Sequence, residues 1–155
     1  MPPLQLFYLI STAAILMIGW WKGGAPERSG ALALLVAYLA TGLVKTVEVG
    51  GLRVGVAAVD VALGIVLIGL AMRHRRWWLL LAAANQILVV MAHATAAADP
   101  TLGLRVSVAS RWVFGLIVLY ALLGGVAERW LAGERPGNGM TGTRTGRMQR
   151  VFSHR

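Results

Sequence analysis

The sequence predicts an all-α integral membrane protein, a bundle of five transmembrane helices. Hydrophobic residues make up 57% of the 155-residue chain, and the mean hydropathy of +0.69 is far above that of a soluble domain. Five segments approach or reach the roughly 20 apolar residues that a spanning helix needs. The six tryptophans lie at the ends of these segments, where indole rings favour the membrane–water interface. A four-helix bundle is the alternative, with the first segment or the region before the fifth reassigned.

The predicted helices are joined by short loops, so we expect one transmembrane domain over residues 1–130. The five helices cover about 4–21, 27–49, 54–72, 77–97 and 112–130. The stretch 104–111 fits either an interfacial turn or an early start of the fifth helix. Residues 131–155 are rich in Gly, Arg and Thr, which predicts a basic, mostly disordered cytoplasmic tail.

The net charge of +9 is concentrated on one side of this predicted bundle. Alternate loops fall on opposite sides, and one side collects most of the basic residues. They are Lys22, Arg28, Arg73, Arg75, Arg76, Arg129, Arg135, Arg144, Arg147, Arg150 and Arg155. Because cytoplasmic loops carry the excess of Lys and Arg, we expect the N-terminus outside and the C-terminus in the cytoplasm. The charge therefore reflects topology and argues against a nucleic-acid partner.

Two groups of arginines are candidates for contact with the inner leaflet of the lipid bilayer. Arg73, Arg75 and Arg76 stand in the turn before the fourth helix, and Arg147 and Arg150 lie in the end of the tail. Each basic residue near an anionic membrane surface contributes about 1 kcal/mol of attraction. For the end of the tail, a fully solvated segment is the alternative.

The second predicted helix carries a stripe of small and then charged residues. Ala33, Ala37, Thr41, Lys45 and Glu48 are separated by steps of four, four, four and three residues, so they share one helix face. The three small residues predict a helix-packing face, because small side chains allow close approach of a neighbouring helix.

A cluster of polar side chains is expected in the outer half of the bundle. Lys45, Glu48, Asp60 and His93 lie at similar depth in three helices, and Gln86 lies deeper on the face of His93. A charge at mid-membrane costs about 3 kcal/mol, and the side chain of Asp60 is too short to reach the interface. We therefore expect Asp60 to face the interior and to pair with Lys45 or His93.

This cluster has two interpretations, and both require the second, third and fourth helices to be neighbours. One is an internal knot of ion pairs and hydrogen bonds that fixes helix packing. The other is a site for a proton, a cation or a small polar ligand, since histidine changes its charge near neutral pH.

No residue pattern indicates an enzyme, a metal site or a cofactor. The chain has no cysteine, which excludes disulfides, thiolate metal sites and iron–sulfur clusters. Glu48, Asp60 and His93 offer a single nitrogen ligand, whereas zinc usually binds more nitrogen or sulfur ligands, and the chain has no HExxH spacing. Ser107 and Ser110 have no GxSxG context. We therefore predict a non-enzymatic protein without a cofactor or metal.

Several short motifs occur along the chain in an order that is also found in one group of proteins. They are Pro26-Glu27-Arg28 before the second helix, Val59-Asp60 inside the third, Arg76-Trp77-Trp78 entering the fourth, and then Gln86 and His93. Over about residues 20–130, this order resembles that of small multi-helix inner-membrane proteins of alphaproteobacteria. The resemblance implies a multi-pass helical bundle in the bacterial inner membrane, and it implies no particular activity.

Two functions from different classes fit these observations. The first is a non-enzymatic accessory or assembly partner of a larger membrane complex, bound to other membrane proteins or to a second copy. It rests on the small-residue helix face and on the lack of a cofactor motif or a soluble domain. The alternative is a small transporter, channel or proton-coupled sensor that uses Asp60, His93, Lys45 and Glu48.

Overall fold

The computed structural model describes the backbone of residues 3–50, 52–98 and 100–133, and the side chains of 5–50, 52–98 and 112–133. These residues form five α-helices, which confirms the all-α prediction. The helices are α1 (Pro3–Lys22), α2 (Ala25–Val44), α3 (Val54–His74), α4 (Trp77–Ala98) and α5 (Pro100–Leu131). Four of them are long and apolar enough to cross a membrane: α2, α3, α4 and the Trp112–Leu131 part of α5. This indicates a transmembrane protein.

The helices form a ring in chain order. Each packs against its neighbours in sequence, and α5 closes the ring against α1 while also contacting α2. The links 23–24 and 75–76 are short, so the chain reverses direction at these turns. Trp78 at the start of α4 contacts Gly30 near the start of α2 and Gly125 near the end of α5. These contacts place the second and fourth helices in one direction and the fifth in the other.

The two ends of the helix bundle differ in charge. The α1–α2 and α3–α4 turns and the end of α5 meet at one end, which we call the basic end. It carries Lys22, Arg28, Arg73, Arg75, Arg76 and Arg129. The segment 45–53 between α2 and α3 and the start of α5 lie at the opposite end.

The core is centred on Trp78, in the half of the bundle next to the basic end. Its side chain is 0% exposed and lies between Gly30 and Gly125. A Cβ atom on Gly125 would lie 2.3 Å from Cδ1 of the indole ring, so glycine is what allows α4 and α5 to approach here. Three leucines of this core, Leu67, Leu79 and Leu122, are also fully buried.

Helix α2 ends earlier than predicted, at Val44 instead of residue 49. Lys45 caps the helix, the N–H of Val47 donates to the carbonyl of Val44 at 3.0 Å, and Gly50 adopts a φ of +60° that suits glycine. The chain therefore turns before Glu48. The prediction that Lys45 and Glu48 continue the stripe on the same helix is wrong, because α2 ends at Val44, before both residues.

Helix α5 is longer than the predicted 112–130. It runs over 32 residues from Pro100, so residues 104–111 are helical. Proline suits the first turn of a helix, where its missing N–H removes no intrahelical bond. The remaining helices begin and end within two residues of their predicted bounds. The predicted tail lies outside the described residues from 134 onward, including Arg147 and Arg150.

Candidate functional site

Asp60 of α3 and His93 of α4 form a mostly buried pair in the half of the bundle next to the opposite end. Nε2 of His93 lies 2.7 Å from Oδ2 of Asp60, and the two side chains are 17% and 13% exposed. Lys45 and His93 are the partners that the sequence suggests for Asp60, and the structure selects His93. The pair joins two neighbouring helices inside the ring.

Gln86 holds the other side of the same carboxylate. Its Nε2 donates to Oδ1 of Asp60 at 3.3 Å and to the backbone carbonyl of Asp60 at 3.1 Å. Gln86 and His93 reach one residue because a spacing of seven places both on one face of α4. Each carboxylate oxygen of Asp60 therefore has a partner from this helix.

The arrangement of Asp60 and His93 is suited to holding a proton. An ionised Asp60 beside a neutral His93 carries one negative charge, and binding of one proton makes the pair neutral overall. Each gain or loss of a proton thus changes the net charge at a depth where charge is costly.

A cavity of about 130 Å³ lies beside Asp60 at the centre of the ring. Side chains from all five helices line it. The polar ones are Tyr8, Thr12, Tyr38, Thr41, Asp60 and Gln86. A polar cavity needs roughly 10–15 Å³ to hold one water molecule, so this one has room for several waters or a small hydrated ion.

Thr12 contributes a buried hydroxyl to the polar lining of this cavity. Among the described residues, its Oγ1 is buried and has no hydrogen-bond partner. A buried polar group without a partner costs about 1–3 kcal/mol, and an occupant of the cavity could supply one. Thr12 and Tyr8 were not predicted as lining residues, although their four-residue spacing places them on one face of α1.

Lys45 and Glu48 do not join the Asp60 pair, which corrects the predicted cluster. Oε1 of Glu48 lies 3.1 Å from Nε of Arg53, and both side chains are about half exposed. Lys45 is exposed beside them at the end of α2. The early end of that helix carries both charges away from the bundle interior. The central group is therefore Asp60, His93 and Gln86.

The small residues of α2, predicted as a helix-packing face, lie partly at the central cavity. Ala33, Ala37 and Thr41 are half-buried, and the last two line the cavity. Their small size keeps space open at the centre of the ring. Helix α2 comes closer to α4 at Gly30, where a Cβ atom would be 2.5 Å from the ring of Trp78.

The arginines of the α3–α4 turn lie at the basic end. Arg73 and Arg75 are exposed, and Arg76 is half-buried. Arg75 ends α3 with a φ of +50°. These positions place the turn at the surface of the bundle end.

A second buried charge pair, which was not predicted from the sequence, lies near the basic end. Oε2 of Glu27 accepts the N–H of Gly24 at 2.8 Å and lies 3.4 Å from Nη1 of Arg129. Beside it, the indole N–H of Trp77 donates to Glu128. From the sequence, Glu27 reads only as an acidic residue at a helix start. Its partner is 102 residues away, so no local pattern links them.

Within the described side chains, no group of three or more His, Asp or Glu residues could hold a metal ion. Asp60 and His93 supply one oxygen donor and one nitrogen donor, with an amide beside them. Such a donor set suits a proton or a small polar occupant.

Comparison of the chain with protein-family models, with curated proteins and with solved structures finds no significant match. The resemblance to alphaproteobacterial inner-membrane proteins stays a prediction. Function is therefore inferred from the geometry of the site.

Proposed function

We propose that this chain is a small proton-responsive protein of the bacterial inner membrane, in which the Asp60–His93 pair gains and releases a proton. The observation that carries the proposal is the 2.7 Å contact between these mostly buried side chains, with Asp60 also lining the central cavity. A charge at mid-membrane costs about 3 kcal/mol. Asp60 lies nearer the outer side, where the cost is smaller, but adding or removing a charge there still changes the free energy with which α3 and α4 pack.

We further propose that α1 also crosses the membrane, which brings the number of spans to five. This helix has 20 residues, and Lys22 at its end is its first charged residue. The basic end then faces the cytoplasm, because Lys and Arg mark the cytoplasmic side. In this orientation the N-terminus is outside and the C-terminus is inside. Asp60 lies six residues after the start of α3, roughly 9 Å below the outer end of the helix.

The packing on the basic side of the cavity supports a sensor over a channel. The Trp78 core fills this half of the bundle, and Leu67, Leu79 and Leu122 are fully buried in it. A continuous path for protons needs polar groups or water, and burying such groups in an apolar core is costly. A proton at Asp60 therefore exchanges with the outer side, and the response passes to the helices.

The proposal is tested by hydrogen–deuterium exchange of α3 and α4 in lipid nanodiscs, compared between about pH 5 and about pH 8, the range in which histidine switches. After correction for the intrinsic pH dependence of exchange, wild-type protein is expected to change its protection in these helices. Asp60→Asn and His93→Gln should each abolish that change. Asparagine keeps an oxygen for Gln86 to bond, so the variant should fold.

Glu48→Gln is the matched control, because it removes an exposed carboxylate outside the pair. It should respond to pH as the wild type does. If Asp60→Asn folds and still responds, the proposal is wrong. If neither Asp60→Asn nor His93→Gln accumulates as folded protein, the pair is a packing knot. Proton flux into dye-loaded vesicles would favour a transporter over a sensor.

A second candidate is an accessory or assembly partner of a membrane complex. It is favoured by the thin internal packing of α2, whose four buried residues all lie between Pro26 and Ala31, whereas α4 buries eight. The exposed face of α2 beyond Ala31, which includes Val36, Leu39 and Leu43, is available to a partner helix. Gentle-detergent purification through a C-terminal tag tests this: a stoichiometric membrane partner supports it, and isolation of the chain alone contradicts it.

A further inference from the structure

An apolar groove runs between α1 and α2 near the basic end. It has a volume of about 330 Å³, with Met17, Trp20 and Trp21 on one side and Leu32 and Leu35 on the other. The buried Ala31 also lines it. The tryptophans and leucines of its walls are largely exposed, so the groove opens to the outside of the bundle.

Two cationic residues lie next to residues that form the end of this groove. Nε of Arg28 donates to the backbone carbonyl of Trp20 at 3.1 Å, which fixes the guanidinium beside the groove wall. Lys22 is the last residue of α1, two positions after Trp20, and it is exposed. The apolar groove thus ends beside Arg28, and Lys22 follows its wall residue Trp21 directly in the chain. The two indole rings lie at the level where water meets lipid.

We propose that this groove binds one phospholipid with an anionic headgroup. One acyl chain lies along the apolar walls, and the headgroup phosphate lies at Arg28 and Lys22. Charge complementarity favours a lipid over a helix of another protein, because the phosphate supplies the negative charge that these cations attract. The proposal is independent of the Asp60–His93 pair, which lies towards the other end of the bundle.

The test is native mass spectrometry of the full-length protein titrated with phosphatidylglycerol or with phosphatidylcholine. The expected result is one phosphatidylglycerol bound more tightly than phosphatidylcholine. Lys22→Gln and Arg28→Gln should each weaken that preference about fivefold, the effect of one basic residue near an anionic surface. Lys22→Gln carries the test if loss of the bond to Trp20 disturbs the Arg28 variant.

Arg73→Gln is the matched charge control, since it removes an exposed cation at the same end but away from the groove. It should leave the preference for phosphatidylglycerol unchanged. For the apolar part, Leu35→Trp should fill the groove and abolish tight binding. Leu39→Trp, at an exposed leucine of the same helix outside the groove, should not.

Three outcomes would overturn the proposal. Equal binding of the two lipids would show that the charge of the headgroup plays no part in binding. An Arg73→Gln effect as large as that of Lys22→Gln would reduce the preference to diffuse surface charge. Crosslinking from Leu35 to a second polypeptide in membranes would assign the groove to a protein partner.

Discussion

Glu27 with Arg129 and Asp60 with His93 are buried near opposite ends of the bundle, and their surroundings differ. Glu27 is 1% exposed and also caps the start of its helix through Gly24. Asp60 lines a cavity. Arginine stays charged at every physiological pH, whereas histidine gains and loses its charge. A pair with arginine in a tight core can serve as a permanent clamp, while a pair with histidine beside a cavity can respond to protons.

The largest expected effect comes from breaking the clamp. Arg129→Ala leaves the carboxylate of Glu27 buried without its guanidinium partner, which should cost about 3–5 kcal/mol of stability. Thermal unfolding in detergent measures it. Arg53→Ala is the control, because its pair with Glu48 is exposed and should be worth about 1 kcal/mol or less. Equal losses in the two variants would show that burial does not separate these pairs.

The next effect concerns the packing around Trp78, which separates the cavity from the basic end. In Gly125→Ala the new methyl would lie 2.3 Å from the indole ring, and such overpacking costs about 1–3 kcal/mol. Gly69→Ala is the matched control in α3, because nothing lies within 4 Å of its added Cβ. The unfolding temperature should fall for the first variant and stay the same or rise for the second. An unchanged temperature for Gly125→Ala would contradict tight packing here.

The smallest expected loss of stability comes from removing one of the two side-chain hydrogen bonds that α4 makes through Gln86 and Asn85. Gln86 bonds Asp60, while the adjacent Asn85 donates to the carbonyl of Phe114 at 2.8 Å. Replacing either residue by Leu should cost about 1 kcal/mol, the scale of such bonds in membrane proteins.

The two leucine variants should differ in their response to pH, followed by hydrogen–deuterium exchange of α3 and α4. Gln86→Leu should alter the response, since it changes the support of the carboxylate. Asn85→Leu should leave it intact. If both variants respond like the wild type, Gln86 has no part in the proton site.

Much of the fold could be predicted because the relevant signals are local. The double tryptophan at Trp77 and the arginines before it place the start of α4 within one residue. His93 could be predicted as one of two candidate partners of Asp60, beside Lys45, because a short carboxylate inside an apolar helix needs a polar group at its own depth.

The remaining features depend on contacts that no local pattern contains. Lys45 and Glu48 continue the spacing of α2, but the backbone turns through Val47 and Gly50 and places them outside the bundle. Glu27 meets Arg129 only because α5 closes the ring against α1 and α2. The order of helices in space, which brings these residues together, is a tertiary property.

Nitrogen-15 NMR of the ring of His93, in histidine-labelled protein titrated between about pH 5 and about pH 8, tests whether the Asp60–His93 pair gains and releases a proton. His93→Gln identifies its signal among the three histidines. We expect the ring of His93 to change its protonation state in this range. We also expect Asp60→Asn to move the His93 curve while leaving those of His74 and His154 in place. A His93 ring that keeps one protonation state throughout, or a curve that Asp60→Asn leaves unchanged, would show that the pair is not a proton site.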